Sequence, residues 1–125
     1  MHENEISYLI RKAIFQVYNN LGPGLYESVY SKALWHEMLL LGLEVRTEVP
    51  LPMTYNGQLF ESGFRIDMIV NEKVIVEIKS VEHLAEVHHK QVITYLKLSG
   101  LKLGLLVNFF TSNISQSIFR KVNGL

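Results

Sequence analysis

Arg65-Ile66-Asp67-Met68-Ile69-Val70, then Asn71-Glu72-Lys73, then Val74-Ile75-Val76-Glu77-Ile78-Lys79 reads as two strands joined by a short turn. The length of that turn decides which residues share a face. With a two-residue turn, Asn71-Glu72, Val70 would lie opposite Lys73, Asp67 opposite Val76 and Ile66 opposite Glu77, each pair mixing apolar with charged. With a three-residue loop, Asn71-Glu72-Lys73, Val70 faces Val74, Met68 faces Val76 and Ile66 faces Ile78, so one side is wholly apolar. The other side then pairs Ile69 with Ile75, Asp67 with Glu77 and Arg65 with Lys79. A slip of one residue turns a whole strand over, so the pattern selects the longer loop. Three-residue hairpin loops are common, and Asn tolerates the left-handed backbone they often need.

That register sets Asp67 beside Glu77, with Cβ atoms ~4.5–5.5 Å apart, and like charges directly opposite are destabilising. A bound divalent cation removes the conflict, because two carboxylates are what Mg²⁺ takes from protein while keeping several waters. A half-solvated face on which Arg65 and Lys79 offset the acids accounts for the same spacing without an ion. Spacing alone leaves both open.

Outward from this hairpin, Ile6, Leu9, Ile10, Ala13, Ile14 and Val17 recur at helical spacing over about Glu5–Asn20. Leu21-Gly22-Pro23-Gly24 ends that helix. A second helix is expected from about Tyr26 to Leu41, stopped by Gly42, with a strand at Val45–Val49 and a short extended piece bracketed by Pro50 and Pro52. Asn56-Gly57 is the strongest hairpin-turn dipeptide, and Gln58–Val70 reads as one long strand with a bend at Gly63. A helix over Glu86–Ser99 capped by Gly100, a buried strand over Lys102–Phe109 and a closing helix over Ile114–Val122 complete the order α-α-β-β-β-α-β-α. This is an α/β domain with a mixed central sheet flanked by helices, expected as a single domain over residues 1–125.

Hydrophobic residues make up 48% of the 125 and charged residues 19%, which suits a packed core. Twelve basic and twelve acidic residues cancel, so no overall positive field advertises nucleic acid, although a local basic groove is compatible with the sum. There is no cysteine, which excludes disulfides and thiolate zinc sites. With no signal-peptide pattern at Met1-His2-Glu3-Asn4-Glu5 and no apolar run of membrane-spanning length, a cytoplasmic location without membrane contact is expected.

Five segments in order resemble the PD-(D/E)XK nuclease superfamily and, within it, the small GxxExxY proteins. The naming motif stands as Gly24-Leu25-Tyr26-Glu27-Ser28-Val29-Tyr30, preceded by Leu21-Gly22-Pro23. Arg65-Ile66-Asp67 and Val76-Glu77-Ile78-Lys79 match the core motif, with Ile66 where the superfamily nominally has proline. Gln91-Val92-Ile93-Thr94-Tyr95-Leu96-Lys97-Leu98 matches the glutamine-bearing helix, and Gly104-Leu105-Leu106-Val107-Asn108-Phe109 the last core strand. The resemblance implies a restriction-endonuclease-like α-β-β-β-α-β core and a Mg²⁺-dependent phosphodiesterase, with Mn²⁺ as a substitute.

Carried over residue by residue, the resemblance makes Asp67, Glu77, the Ile78 carbonyl and Glu27 metal ligands. It makes Lys79 the group that orients water or stabilises charge, and sets Gln91 toward the site. Tyr30, His88, Tyr95 and Arg65 are candidates for substrate contact. Each has a plainer reading. Glu27 lies in a first helical turn, where the helix dipole favours acids by ~0.3–1 kcal/mol. Tyr30 reads as a packed tyrosine, Lys79 as an ion-paired surface lysine, Trp35 as core or interface, and His89 as solvated. Arg11, Lys12, Lys32, Lys90 and Lys97 form either a rim for phosphates or an ordinary solvated surface. His83, His88 and His89 lack the spacing of a zinc motif, and Ser28 and Ser80 lack a nucleophile elbow.

The expected function is hydrolysis of phosphodiester bonds in DNA ahead of RNA, by a homodimer or with a larger partner if both strands are cut. The alternative is a catalytically inactive nuclease-fold module that binds nucleic acid or a partner protein.

Overall fold

The computed structural model describes residues 1–125, Ser62 by its backbone alone. Two helices come first, α1 (Glu3–Leu21) and α2 (Glu27–Leu40). Strands β1 (Val45–Tyr55), β2 (Gln58–Val70) and β3 (Val74–Lys79) follow, then α3 (Glu86–Ser99), β4 (Leu103–Asn108), a 3₁₀ turn at Ile114–Gln116 and β5 (Ile118–Val122). At the start of α1, His2 Nδ1 accepts from the Asn4 N–H and the Glu5 carboxylate accepts from the His2 N–H, satisfying donors a helix start leaves open.

The strands form one sheet in the order β1-β2-β3-β4-β5. Neighbours are antiparallel except β3 and β4, which run parallel. A parallel pair needs a long crossover, and α3 supplies it. Helices α1 and α2 cover one face, where Ile10, Ile14, Tyr30 and Leu34 pack on Met68, Val76, Ile78 and Val107. On the other face Tyr95 and Leu96 of α3 pack on Val49, Leu51, Ile66, Ile69 and Ile75. With cover on both sides, β4 is buried along its whole length. Gly104 lets α3 approach β4, since a Cβ there would stand 2.7 Å from Val92 Cγ1. None of the described helices is long and apolar enough to cross a membrane.

The hairpin turns follow the expected chemistry. Asn56 and Gly57 take φ of 50° and 75°, the left-handed pair a tight hairpin needs. The loop after β2 has three residues, with Val70 paired to Val74, Ile69 to Ile75 and Met68 to Val76. Two expectations fail. Pro50 and Pro52 do not interrupt a strand but lie within β1, where an edge position needs no N–H on its outer side. The expected closing helix is a single 3₁₀ turn followed by β5, antiparallel to β4. Ile118-Phe119-Arg120-Lys121-Val122 is rich in β-formers and too short for a stable helix, and the otherwise open edge of β4 takes it up.

Candidate metal centre

The ladder between β2 and β3 stops at Met68–Val76. Past that point the two strands fork, and carboxylates replace the missing ladder bonds. The Asp67 N–H donates to Glu77 Oε2 at 2.6 Å, and the Ile78 N–H donates to Asp67 Oδ2 at 2.8 Å. The expected ladder pairs Asp67–Glu77, Ile66–Ile78 and Arg65–Lys79 are therefore not formed as such. The physical reason is a change of face. Met68 belongs to the core under α1 and α2, yet Ile66 lies in the core under α3, so strict alternation breaks at Asp67. Glu48, across from Asp67 on β1, takes a left-handed φ of 53° at the same level. Arg65 turns to that edge, 3.7 Å from Glu48, with both side chains largely in solvent.

Glu77 is only 3% exposed, and Asp67 and Lys79 are half-buried. Burial, and then the charge of Asp67, push the Glu77 carboxyl up to about 8. Burial also raises Asp67, against the pull of the Ile78 N–H and Lys79. On α3, Tyr95 is pushed up to about 12 by burial and by the charges of Glu77 and Asp67, while the neighbouring Gln91 amide pulls the other way. Tyr95 and Gln91 thus flank the carboxylate pair from the helix side.

The donor set suits a hard cation. Among the described residues, Asp67 Oδ1 and Glu77 Oε1 have no hydrogen-bond donor, and neither is shut away from solvent. Each acid is fixed through one oxygen and offers the other. In an extended strand a residue's N–H and C=O point to the same side, so the Ile78 carbonyl faces the fork with the N–H that holds Asp67. Two carboxylate oxygens and a carbonyl are all-oxygen ligands of the kind Mg²⁺ takes. Glu27 stands beside the fork: its carboxylate accepts from the Ser80 N–H at 2.9 Å, just after Lys79, and its charge helps to raise both Asp67 and Glu77. Among the described residues no three His, Asp or Glu side chains converge into one cage.

A family model described as the PD-(D/E)XK nuclease superfamily matches residues 4–121. The chain belongs to this superfamily. Among solved structures, the crystal structure of SSO0001 is similar, with 22% sequence identity and a TM-score of 0.48, covering 96% of this chain and 66% of that one. The chain thus spans a little under two thirds of that protein's length. No curated protein matches.

In this superfamily member the loop before α2 is anchored at several points. The Tyr30 hydroxyl donates to the Gly22 carbonyl at 2.6 Å and accepts from the Leu25 N–H at 3.1 Å, and its ring stacks on Phe109. Ser80 Oγ donates to the Leu25 carbonyl at 2.6 Å. Tyr30 is fully buried, so the expected substrate contact is corrected to a brace that shapes the loop leading to Glu27. At the start of α3, His88 Nδ1 accepts from the Ala85 N–H at 3.1 Å, which orients the ring by one nitrogen and leaves Nε2 without a partner among the described residues. His89, expected in solvent, packs edge-on against Phe119 of β5.

Two residues escaped the sequence reading. Ser80 ties β3 to the Glu27 loop through both its N–H and its hydroxyl. Asn108 Oδ1 accepts from the Val81 and Phe110 N–H groups, and its Nδ2 donates to the Val81 carbonyl. The one polar residue in an apolar run, Asn108 was the available signal, and it holds the chain where β3 leaves the site.

Proposed function

We propose that this protein is a Mg²⁺-dependent nuclease of the GxxExxY type that hydrolyses phosphodiester bonds in DNA ahead of RNA. The observation that carries the reading is the fork, where Asp67 and Glu77 each spend one oxygen on backbone and leave the other free. Asp67, Glu77 and the Ile78 carbonyl would hold Mg²⁺, or Mn²⁺ in its place, with Glu27 alongside. When bound, the ion supplies Lewis acidity at the phosphate and favours ionised water near it. Lys79 lies close enough to lower both carboxylates and stabilises negative charge gathering on the phosphate. Gln91 and Tyr95 close the helix side and orient water or phosphate, and Arg65 at the β1 edge contacts the substrate backbone. The protein acts in the cytoplasm as one nuclease-like domain, and as a homodimer or with a larger partner where both strands are cut.

The test is cleavage of single-stranded, duplex and branched DNA and of RNA, with Mg²⁺, Mn²⁺ or EDTA. Wild type runs beside Glu77→Ala and Lys79→Ala. Metal-dependent cutting lost in both variants supports the nuclease; wild-type cutting no faster than the variants rejects it. One observation favours a second reading, a nuclease fold that binds without turnover: Glu27 is held on the Ser80 N–H and no third carboxylate enters the fork. Calorimetric metal binding together with absent cleavage would select that reading.

A further inference from the structure

Four residues of α2, Ser28, Ser31, Lys32 and Trp35, stand at i, i+3, i+4 and i+7, the spacing of one helical stripe. They face Thr47 and Glu48 of β1 across a cleft of about 260 Å³. A stripe of hydroxyls, one cation and one aromatic does not build a core. The core stripe of α2 is Tyr30, Leu34 and Met38, fully buried on the sheet, whereas Trp35 keeps 42% of its surface exposed.

The β1 wall is made by backbone strain. Glu48 holds a left-handed φ of 53°, which costs a non-glycine residue about 1–2 kcal/mol. Thr47 and Glu48 both line the cleft, and Val49 then enters the core under α3. Strained residues cluster where function over-determines them. The cleft also adjoins the metal centre. Glu48 sits across from Asp67 and its charge helps to raise the Asp67 carboxyl, and Glu27 precedes Ser28 on the helix.

We infer that this cleft receives an unpaired nucleobase next to the phosphate that enters the fork, an inference that rests on the nuclease reading for its substrate. Trp35 supplies the stacking surface, which accepts any base because every base has a π-face. Ser28, Ser31 and Thr47 offer donors and acceptors for a base edge. Glu48, 3.7 Å from Arg65, offers an acceptor for base N–H donors, while Lys32 attracts phosphate, so the base goes in and the backbone stays with Lys32 and Arg65. A base inside a duplex cannot enter such a cleft without unstacking. The substrate class is therefore a single strand, or a strand unpaired at the cut.

Trp35 is the only tryptophan in the chain, so its emission reports the cleft directly. The experiment titrates the protein with a 12-nucleotide oligo(dT) and with a 12-base-pair duplex, with Ca²⁺ in place of Mg²⁺, following Trp35 emission and the anisotropy of labelled DNA. Saturable quenching by the single strand, weaker by the duplex, is expected. Trp35→Ala should weaken single-strand binding by about 5- to 150-fold, with Trp35→Phe restoring most of it. Lys32→Ala should reduce the slope of log affinity on log salt by about 0.7. Melting temperatures confirm that each variant is folded. Oligo(dT) binding that leaves Trp35 emission unchanged, or that survives Trp35→Ala, overturns the inference, as does the absence of binding. In a parallel arm with Mg²⁺, wild-type cutting that Trp35→Ala leaves untouched also overturns it while keeping the nuclease. Intact quenching without any cutting keeps the cleft and removes the nuclease.

Discussion

With no cation bound, the folded protein should lose stability as pH rises from about 5 to about 8, and Glu77 is the reason. The residue is 3% exposed beside Asp67, and its pKa moves from the ordinary 4.5 to about 8. The unfolded chain releases this proton near 4.5 and the folded chain near 8. Between those values the folded state binds more protons, so each rise in pH favours unfolding. The contribution is fully present below the lower value and is lost as pH climbs through the upper one. The loss over that range is on the order of 3 kcal/mol, or roughly 10 °C in Tm for a chain of this size. Asp67, also raised by burial, adds in the same direction. His89, lowered by burial, has the opposite sign, so wild type must be compared with an isosteric variant. The assay is thermal unfolding in EDTA at steps from pH 5 to 8, for wild type and Glu77→Gln. Wild type should melt progressively lower, Glu77→Gln should lose most of the slope, and excess Mg²⁺ should restore wild type alone at pH 8. A wild-type Tm that is flat or rises with pH, or a slope that Glu77→Gln shares, would refute the reasoning.

Tyr30→Phe deletes the hydroxyl that bridges Gly22 and Leu25, costing about 1–3 kcal/mol. Urea melts measure the loss, and hydrogen exchange at the Ser80 N–H should quicken as Glu27 loosens; unchanged exchange would show that the brace does not position Glu27. Asn108→Ala leaves the Val81 and Phe110 N–H groups and the Val81 carbonyl without their partner. A loss of about 2 kcal/mol is expected, with a fall in metal affinity by calorimetry; a wild-type value for both would count against its role in shaping the end of β3. Gly104→Ala drives a methyl against Val92 at 2.7 Å and should cost about 1–3 kcal/mol by overpacking, read from denaturant midpoints, where a neutral outcome would mean that α3 can shift away from β4.

The hairpin around Asn71 was legible because one face had to be apolar, and only the three-residue loop achieved that from Val70–Val74 to Met68–Val76. The same argument stopped working one pair further on. Parity assumes an uninterrupted pleat, and at Asp67 the pleat breaks, sending Ile66 to the core under α3. Nothing in the residue types marks Glu48 as left-handed, since such a conformation is imposed by tertiary surroundings and not by propensity. The helix expected over Ile114–Val122 failed for a related reason: a five-residue segment takes its state from the open edge of β4. The family resemblance implies that Glu27 lies near the acids, but not that it is held by the Ser80 N–H, a contact 53 residues apart. Tyr30 stays open in sequence between a packed and a ligand-facing role, because a polar tip on an aromatic ring reads the same whether it meets a ligand or the chain's own backbone.

The position of the carboxylates follows from a ladder that ends while both strands run on. Arg65–Asp67 of β2 and Glu77–Lys79 of β3 stay in strand without pairing to each other, and β3 commits its other side to β4. Where the ladder ends, the N–H groups of Asp67 and Ile78 need acceptors, and a buried donor without one costs about 1–3 kcal/mol. Carboxylates meet that need but bring charge into a half-buried fork, which a bound cation would offset. Two requirements thus fall on one side chain, and Asp67 separates them. Asp67→Asn keeps an acceptor for the Ile78 N–H and removes the charge; Asp67→Ala removes both. Each should lose metal binding by calorimetry. In EDTA at pH 8, Asp67→Asn should be at least as stable as wild type, because the repulsion with Glu77 is gone, and Asp67→Ala should fall below Asp67→Asn by about 1–3 kcal/mol for the orphaned N–H. Equal stability of the two variants would mean that the bond from Ile78 to Asp67 carries no structural weight, and the fork would then need another explanation.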